Sequence, residues 1–313
     1  MRSGLGRRTG MPTLSIPESV RFGTSSWAYE GWKGQVYTLA YPKSRFARDC
    51  LKEYAAYGPG GRRLFRTVGV DHSFYRPPAA SQWAGYAAQV PDDFRFCSKV
   101  WEEITIPAYA DLPRYGAKAG RPNPRFLDAA LFTETVLGPL REGLGGRAGP
   151  VILEFQRFGL DPESFLLSLD RFLANLPAGG QYAVEVRNPA LLGARYHDVL
   201  TAHGAAHVYN HWTWMPALAA QHAALGRRFS APFTLMRLLT PPGVVHADAV
   251  RRYAPYNRLV APQPGMRADV VALIRQAIEE QTAVFVLANN RAEGNAPSTI
   301  QAIADALEAG GTT

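Results

Sequence analysis

Eight short apolar runs, each closing on polar or charged residues, govern what this chain folds into. They read RFGTSSW from Arg21, TVGVDHS from Thr67, FRFCSKV from Phe94, VILEFQR from Val151, YAVEVRN from Tyr182, AHVYNHW from Ala206, FTLMRLL from Phe233 and VFVLANN from Val284. A parallel strand buried on both faces is apolar almost throughout, because helices cover one side and core side chains fill the other. Polar groups gathered repeatedly at the same strand end predict a closed barrel whose C-terminal rim carries the chemistry.

Amphipathic helices fill the intervals. SRFARDCLKEYAAY sets Phe46, Cys50, Leu51 and Tyr54 on one face. DPESFLLSLDRFLANL opens with Asp161 as N-cap and Pro162 at the first helical position, then stacks Phe165, Leu166, Leu169, Phe172, Leu173 and Leu176. ARYHDVLTAHG closes on Gly204, a C-terminal stop. RADVVALIRQAIEEQ and STIQAIADALEA supply the last two helices, and a short one near PALAAQHAALG follows the sixth strand. The prediction is an α/β fold, a (β/α)8 TIM barrel forming a single domain over residues 19–310. Long strand-to-helix loops follow strands 1, 3 and 7, where loops of this length are functional or mobile. Residues 1–18 are assigned to a disordered basic tail.

At 47% hydrophobic and 19% charged, 313 residues provide for one large core. No apolar stretch reaches the roughly 20 residues a membrane span needs, so no membrane partner is expected. The opening MRSGLGRRTG lacks the apolar segment of a secretion signal. Two cysteines, Cys50 and Cys97, make no disulfide framework, and a cytoplasmic location is expected. The net charge of +8 favours acidic partners, nucleic acid among them, although the arginines are scattered rather than gathered in a stripe.

The fifth strand carries the sharpest chemical signal. In AVEVRN, Glu185 and Arg187 lie two apart and share a face, while Val184 and Val186 share the other. The valines suit the helix layer, so the charged pair turns into the upper barrel. Lys99 on the third strand, Arg237 on the seventh and Asn289 on the eighth fall on inward faces by the same alternation. Burying such charges without partners costs several kcal/mol, so each requires a partner or a ligand. The expected catalytic pair is Glu185 and Lys99, with Arg187 and Arg237 as an anion clamp. Gln156 shares a face with Glu154 on the fourth strand and is expected to orient the ligand with Asn289. Glu154 lies deeper and reads as structural. Among the aromatics Trp27, Tyr29, Trp32, Tyr37, Phe74, Tyr75, Trp212 and Trp214, most are expected to pack, with Trp27 and Tyr75 lining a pocket.

Other motifs fail. His203, His207 and His211 are spaced by four, but Gly204 ends the helix after His203, and four residues along a strand span about 13 Å, too far for one metal. GLGGRA from Gly143 precedes its strand instead of following one, so it does not open a dinucleotide site. Nothing requires a metal or a cofactor.

GTSSWAYEGWKGQVY at Gly23–Tyr37, SFYRPP at Ser73, FRFCSKV followed by Ile104–Thr105, AVEVRN, and the pair Asn289–Asn290 followed by Gly294 together resemble the domain of unknown function 72 family of YecE-like proteins. The resemblance runs from about Arg21 to Leu307 and implies a TIM barrel without supplying an activity. Lys99, Glu185, Arg187, Arg237 and Asn289 match the family pattern. Departures stand at Gly69 and Asp71, where the pattern has Glu and Asn. They also stand at Asn210, where it has Asp, and at Leu239 and Thr240, where it has His and Gly. The expected function is metal-independent acid/base chemistry, of the hydrolase, lyase or isomerase kind, on a small anionic or polyhydroxylated, sugar-like ligand. Nucleic-acid binding or processing and non-catalytic metabolite binding are the alternatives, and Asn210 joins the expected ligand contacts.

Overall fold

A computed structural model describes residues 16–157, 159 and 161–310. The expected basic tail falls outside these residues except for its last three. Eight parallel strands form the barrel: β1 (Val20–Thr24), β2 (Thr67–Val70), β3 (Arg95–Lys99), β4 (Ala148–Phe155), β5 (Tyr182–Val186), β6 (Ala206–His211), β7 (Phe233–Leu238) and β8 (Ala283–Ala288). A helix follows each strand: α1 (Leu51–Ala56), α2 (Ala80–Ala87), α3 (Gly138–Leu144), α4 (Pro162–Ala174), α5 (Ala194–Ala202), α6 (Leu218–Ala224), α7 (Pro264–Glu279) and α8 (Ala296–Ala309). This is the predicted (β/α)8 barrel. Among the described residues no helix is long and apolar enough to cross a membrane.

The helices form where their sequences specify them. Asp161 caps α4 by accepting the Ser164 N–H at 3.0 Å, with Pro162 following it. Below α4, Phe165, Leu166, Leu169, Phe172 and Leu173 are buried in the layer between helices and barrel. Gly204 follows α5 at φ +60, a left-handed conformation that a side chain would strain.

Alternation along each strand divides the core in two. One set faces the helices. The other, including Cys97, Ile152, Ala183, Val208, Leu235 and Leu287, fills the barrel interior. Lys99, Glu154, Glu185, Asn210 and Arg237 each stand two residues beyond a member of that interior set, so they form the layer above it. Burying them sets up the site.

Strand pairing runs without a break from β2 through β8 to β1. The barrel closes between β1 and β2 by a looser seam, a bridge between Phe22 and Phe65 and a 2.9 Å bond from Arg66 N–H to the Phe22 carbonyl. Gly23 makes this seam possible, since a Cβ there would sit 2.0 Å from the Thr67 carbonyl oxygen. Gly85, within α2, has nothing within 4 Å of such an atom. Gly23→Ala is expected to destabilise the fold by about 2–4 kcal/mol through displaced backbone. Gly85→Ala is expected to stabilise it by about 0.5–1 kcal/mol through helix propensity. Denaturant unfolding of the two variants checks both signs, and a neutral Gly23→Ala would show that the seam is slack.

Candidate functional site

β4 and β5 pair in register so that Glu154 stands opposite Glu185. Adjacent strands lie about 4.8 Å apart. Two carboxylates at such spacing repel by about 3–4 kcal/mol even at an effective dielectric constant of 20. Cations from three strands offset this. Glu154 Oε2 accepts from Lys99 Nζ at 2.8 Å, from Arg187 at 2.8 Å and from Arg237 at 2.8 Å. One Glu185 oxygen pairs with Arg187 at 2.6 Å and the other with Arg237. Arg237 also reaches Asp71, at 3.0 and 3.2 Å to its two oxygens. Three carboxylates, Asp71, Glu154 and Glu185, thus meet three cations, Lys99, Arg187 and Arg237, and the cluster is electrically balanced.

Neighbouring groups hold these side chains in place. Ser73 donates to the Lys99 carbonyl at 2.6 Å, tying the turn after β2 to the end of β3. The Lys99 ammonium lies 4.0 Å from the centre of the Phe74 ring, and the Arg187 guanidinium 4.1 Å from that of Trp212. Burial works to raise the Glu154 pKa, but Arg187, Lys99 and Arg237 outweigh it and hold the carboxyl well below the usual range. For Arg237, burial works in the opposite direction, and Glu185, Asp71 and Glu154 raise it well above its ordinary value.

Exposure separates the members. Glu185 is 0% exposed and Arg237 2%, so both are walled off from water. The Asp71 side chain is 33% exposed, at the open edge of the cluster. Gln156 is also exposed and donates to Glu154 Oε1. On the Lys99–Glu154 side of the cluster lies a cleft of about 420 Å³ lined by Phe74, Tyr75, Glu102, Tyr115, Gln156 and Arg157, among others. Its volume suits a small ligand. Phe74 and Gln156 line it and also touch Lys99 and Glu154, so the cleft abuts the charged cluster. Arg114 lies 5.3 Å from the Tyr75 ring centre and 4.5 Å from that of Tyr115. It donates to Glu102 at 2.8 Å, and Tyr115 donates to the same oxygen at 2.9 Å. Burial, with Glu102 beside it, pushes the Tyr115 hydroxyl up to about 12.

The structure brings together Lys99, Glu185, Arg187, Arg237 and Gln156, with Tyr75 on the cleft wall. Three other expected contacts each have a donor or acceptor engaged by the protein itself. Trp27 is buried, donates to the Ala47 carbonyl at 2.6 Å and packs edge-on against Tyr86 at 5.1 Å. Asn210 is buried and donates to the carbonyls of Val186 and Val208, fastening β6 to the end of β5. Asn289 caps the short turn Asn290–Glu293 by accepting the Arg291 N–H at 3.0 Å. Glu154, read from sequence as structural, touches all three cations. Asp71, noted from sequence only as a departure, supplies the third carboxylate. Its signal was present, because Thr67, Gly69 and Asp71 alternate onto one face.

The histidine series disperses. His203 bonds Asp170 at 2.7 Å, while burial pushes His207 down to about 3 and His211 to about 4, leaving both neutral. Among the described residues no group of three His, Cys, Asp or Glu side chains is placed to hold a metal ion.

Two solved structures share the fold. One, a DUF72 family protein from Enterococcus faecalis V583, superposes with a TM-score of 0.64 at 17% identity, covering 92% of this chain and 95% of that one. The other, a DUF72 family protein from Thermotoga maritima MSB8, gives a TM-score of 0.63 at 19% identity, covering 92% and 99%. No curated protein matches the sequence. The sequence profile described as "Protein of unknown function DUF72" matches residues 21–313, and the chain belongs to that family.

Proposed function

We propose that this barrel is an enzyme performing acid/base chemistry on a small polyhydroxylated substrate at its C-terminal rim. The observation that carries the reading is Arg237, which spans Glu154, Glu185 and Asp71 and leaves only Asp71 substantially open to water. A charge cluster built solely for packing has no reason to present one carboxylate at the mouth. Asp71 serves as the base, taking a proton from a substrate hydroxyl or from water. Lys99, whose ammonium has three donors and spends one on Glu154, stabilises the oxygen on which negative charge develops.

Glu185 has both oxygens on guanidinium groups and no exposure, so it positions Arg187 and Arg237 rather than reacting. The arginines are likewise engaged with internal carboxylates, which favours a hydroxylated substrate over a strongly anionic one. The tyrosine walls of the cleft offer ring faces and hydroxyls to such a ligand.

Turnover of a panel of 4-nitrophenyl glycosides and sugar lactones tests this reading. Asp71→Asn and Lys99→Met are each expected to lower kcat/KM by about 100-fold or more, mainly through kcat. Asp71→Asn should change the melting temperature by only a few degrees. Full activity in Asp71→Asn would remove the assigned base.

Stability reports separately on the buried anchor. The folded Glu154 pKa lies below its unfolded value of about 4.5. Its stabilisation is therefore complete above that pH and is lost as pH falls through the lower folded value. Glu154→Gln is expected to cost about 3–5 kcal/mol at pH 7, because it leaves buried cations short of a partner. It is also expected to flatten the loss of stability on acidification. Urea melts at pH 7, 5, 4 and 3 measure both, and parallel profiles for wild type and variant would refute the assignment.

A further inference from the structure

The opposite pole of the barrel carries a second cluster with a different charge balance. Arg21 is the second residue of β1, and its guanidinium lies 5.6 Å from the ring centre of Phe285, an interior residue. Its Nε is buried with no hydrogen-bond partner among the described residues. Arg95 opens β3 and alternates with Cys97 and Lys99, so it shares their inward face. Arg66 stands just before β2. Its N–H donates to the Phe22 carbonyl at 2.9 Å, and its carbonyl accepts from Arg95 N–H at 3.0 Å. Arg21 and Arg95 therefore turn inward at the N-terminal mouth, and Arg66 stands between their strands, close enough for its charge to act on Arg21.

Their counter-charge is deficient. Among the described residues, Asp93 is the carboxylate whose charge acts on Arg21, yet it is already bound by Arg63 and, at 3.2 Å, by Arg66. Arg95 spends one nitrogen on the carbonyls of Asp92 and Phe94, at 2.8 and 2.9 Å. Burial, then the charges of Arg95 and Arg66, push the Arg21 guanidinium below its ordinary value.

We propose that the N-terminal mouth binds a tetrahedral oxyanion, free phosphate or the phosphate of a monoester, between Arg21, Arg66 and Arg95. Guanidinium forks arriving from three strands match the several oxygens and the double charge of phosphate better than those of a carboxylate. The site stands apart from the rim and does not depend on what the rim catalyses.

Thermal melts in inorganic phosphate, against sodium chloride of equal ionic strength, provide the test. Phosphate should raise the wild-type melting temperature saturably and chloride should not, as expected for a ligand that binds only the folded state. Arg21→Gln should weaken the fitted phosphate affinity by about tenfold or more. In chloride alone this variant should melt no lower than wild type, since it removes a repelled charge. Arg95→Gln should weaken phosphate as well, and Lys99→Met at the rim should not. Glycerol 3-phosphate serves as the monoester arm, and whichever of the two binds tighter names the source. A flat phosphate response, one that chloride reproduces, or one undiminished in both Arg21→Gln and Arg95→Gln overturns the proposal.

Discussion

The guanidinium of Arg237 is the constraint on which the upper barrel depends. It starts on β7, crosses the interior and meets carboxylates from β4, β5 and the turn after β2. Only a closed barrel brings those strands within reach of one side chain. The dependence also runs the other way. Glu154 and Glu185 are forced into register by β4–β5 pairing, and without cations above the hydrophobic layer that pairing would bury two repelling charges. Lys99 and Arg187 complete the neutralisation from β3 and the end of β5.

Asp71 lies just past the end of β2, two residues beyond Gly69, and Arg237 takes it as a third carboxylate partner. A Cβ at Gly69 would lie 3.0 Å from the Ser25 carbonyl oxygen, so β1 packs closely against β2 one step below that carboxylate.

Much of this was legible in the residues. Period-two alternation and strand ends placed Lys99, Glu185, Arg187 and Arg237 on inward faces, and the barrel brings them together. Depth along the barrel axis was harder to read. Glu154 looked too deep for the site because sequence carries no register between strands, and register is what sets it beside Glu185. Asn289 satisfies the alternation but lies one residue past the end of β8, where capping the next turn claims its carbonyl oxygen. Trp27 and Asn210 are polar-capable groups at strand ends whose donors found backbone carbonyls of neighbouring segments. Such partners are long-range contacts with no local pattern to announce them. Tyr75, by contrast, keeps 62% of its surface exposed and lines the cleft.

A packing explanation of the rim cluster must account for what lies directly beneath it. One layer down, the same strands fill the interior with Cys97, Ile152, Ala183, Val208, Leu235 and Leu287. Apolar residues of similar volume one layer higher would complete that plug, and replacing buried ion pairs in this way is often neutral or stabilising by about 1–4 kcal/mol. The chain instead carries Lys99, Glu154, Glu185 and Arg237 in that layer, sets Arg187 and Asp71 against them, and leaves Asp71 partly in water. Stability alone does not select that arrangement. Acid/base chemistry, as proposed above, accounts for it, since such a reaction needs a fixed carboxylate beside a fixed ammonium.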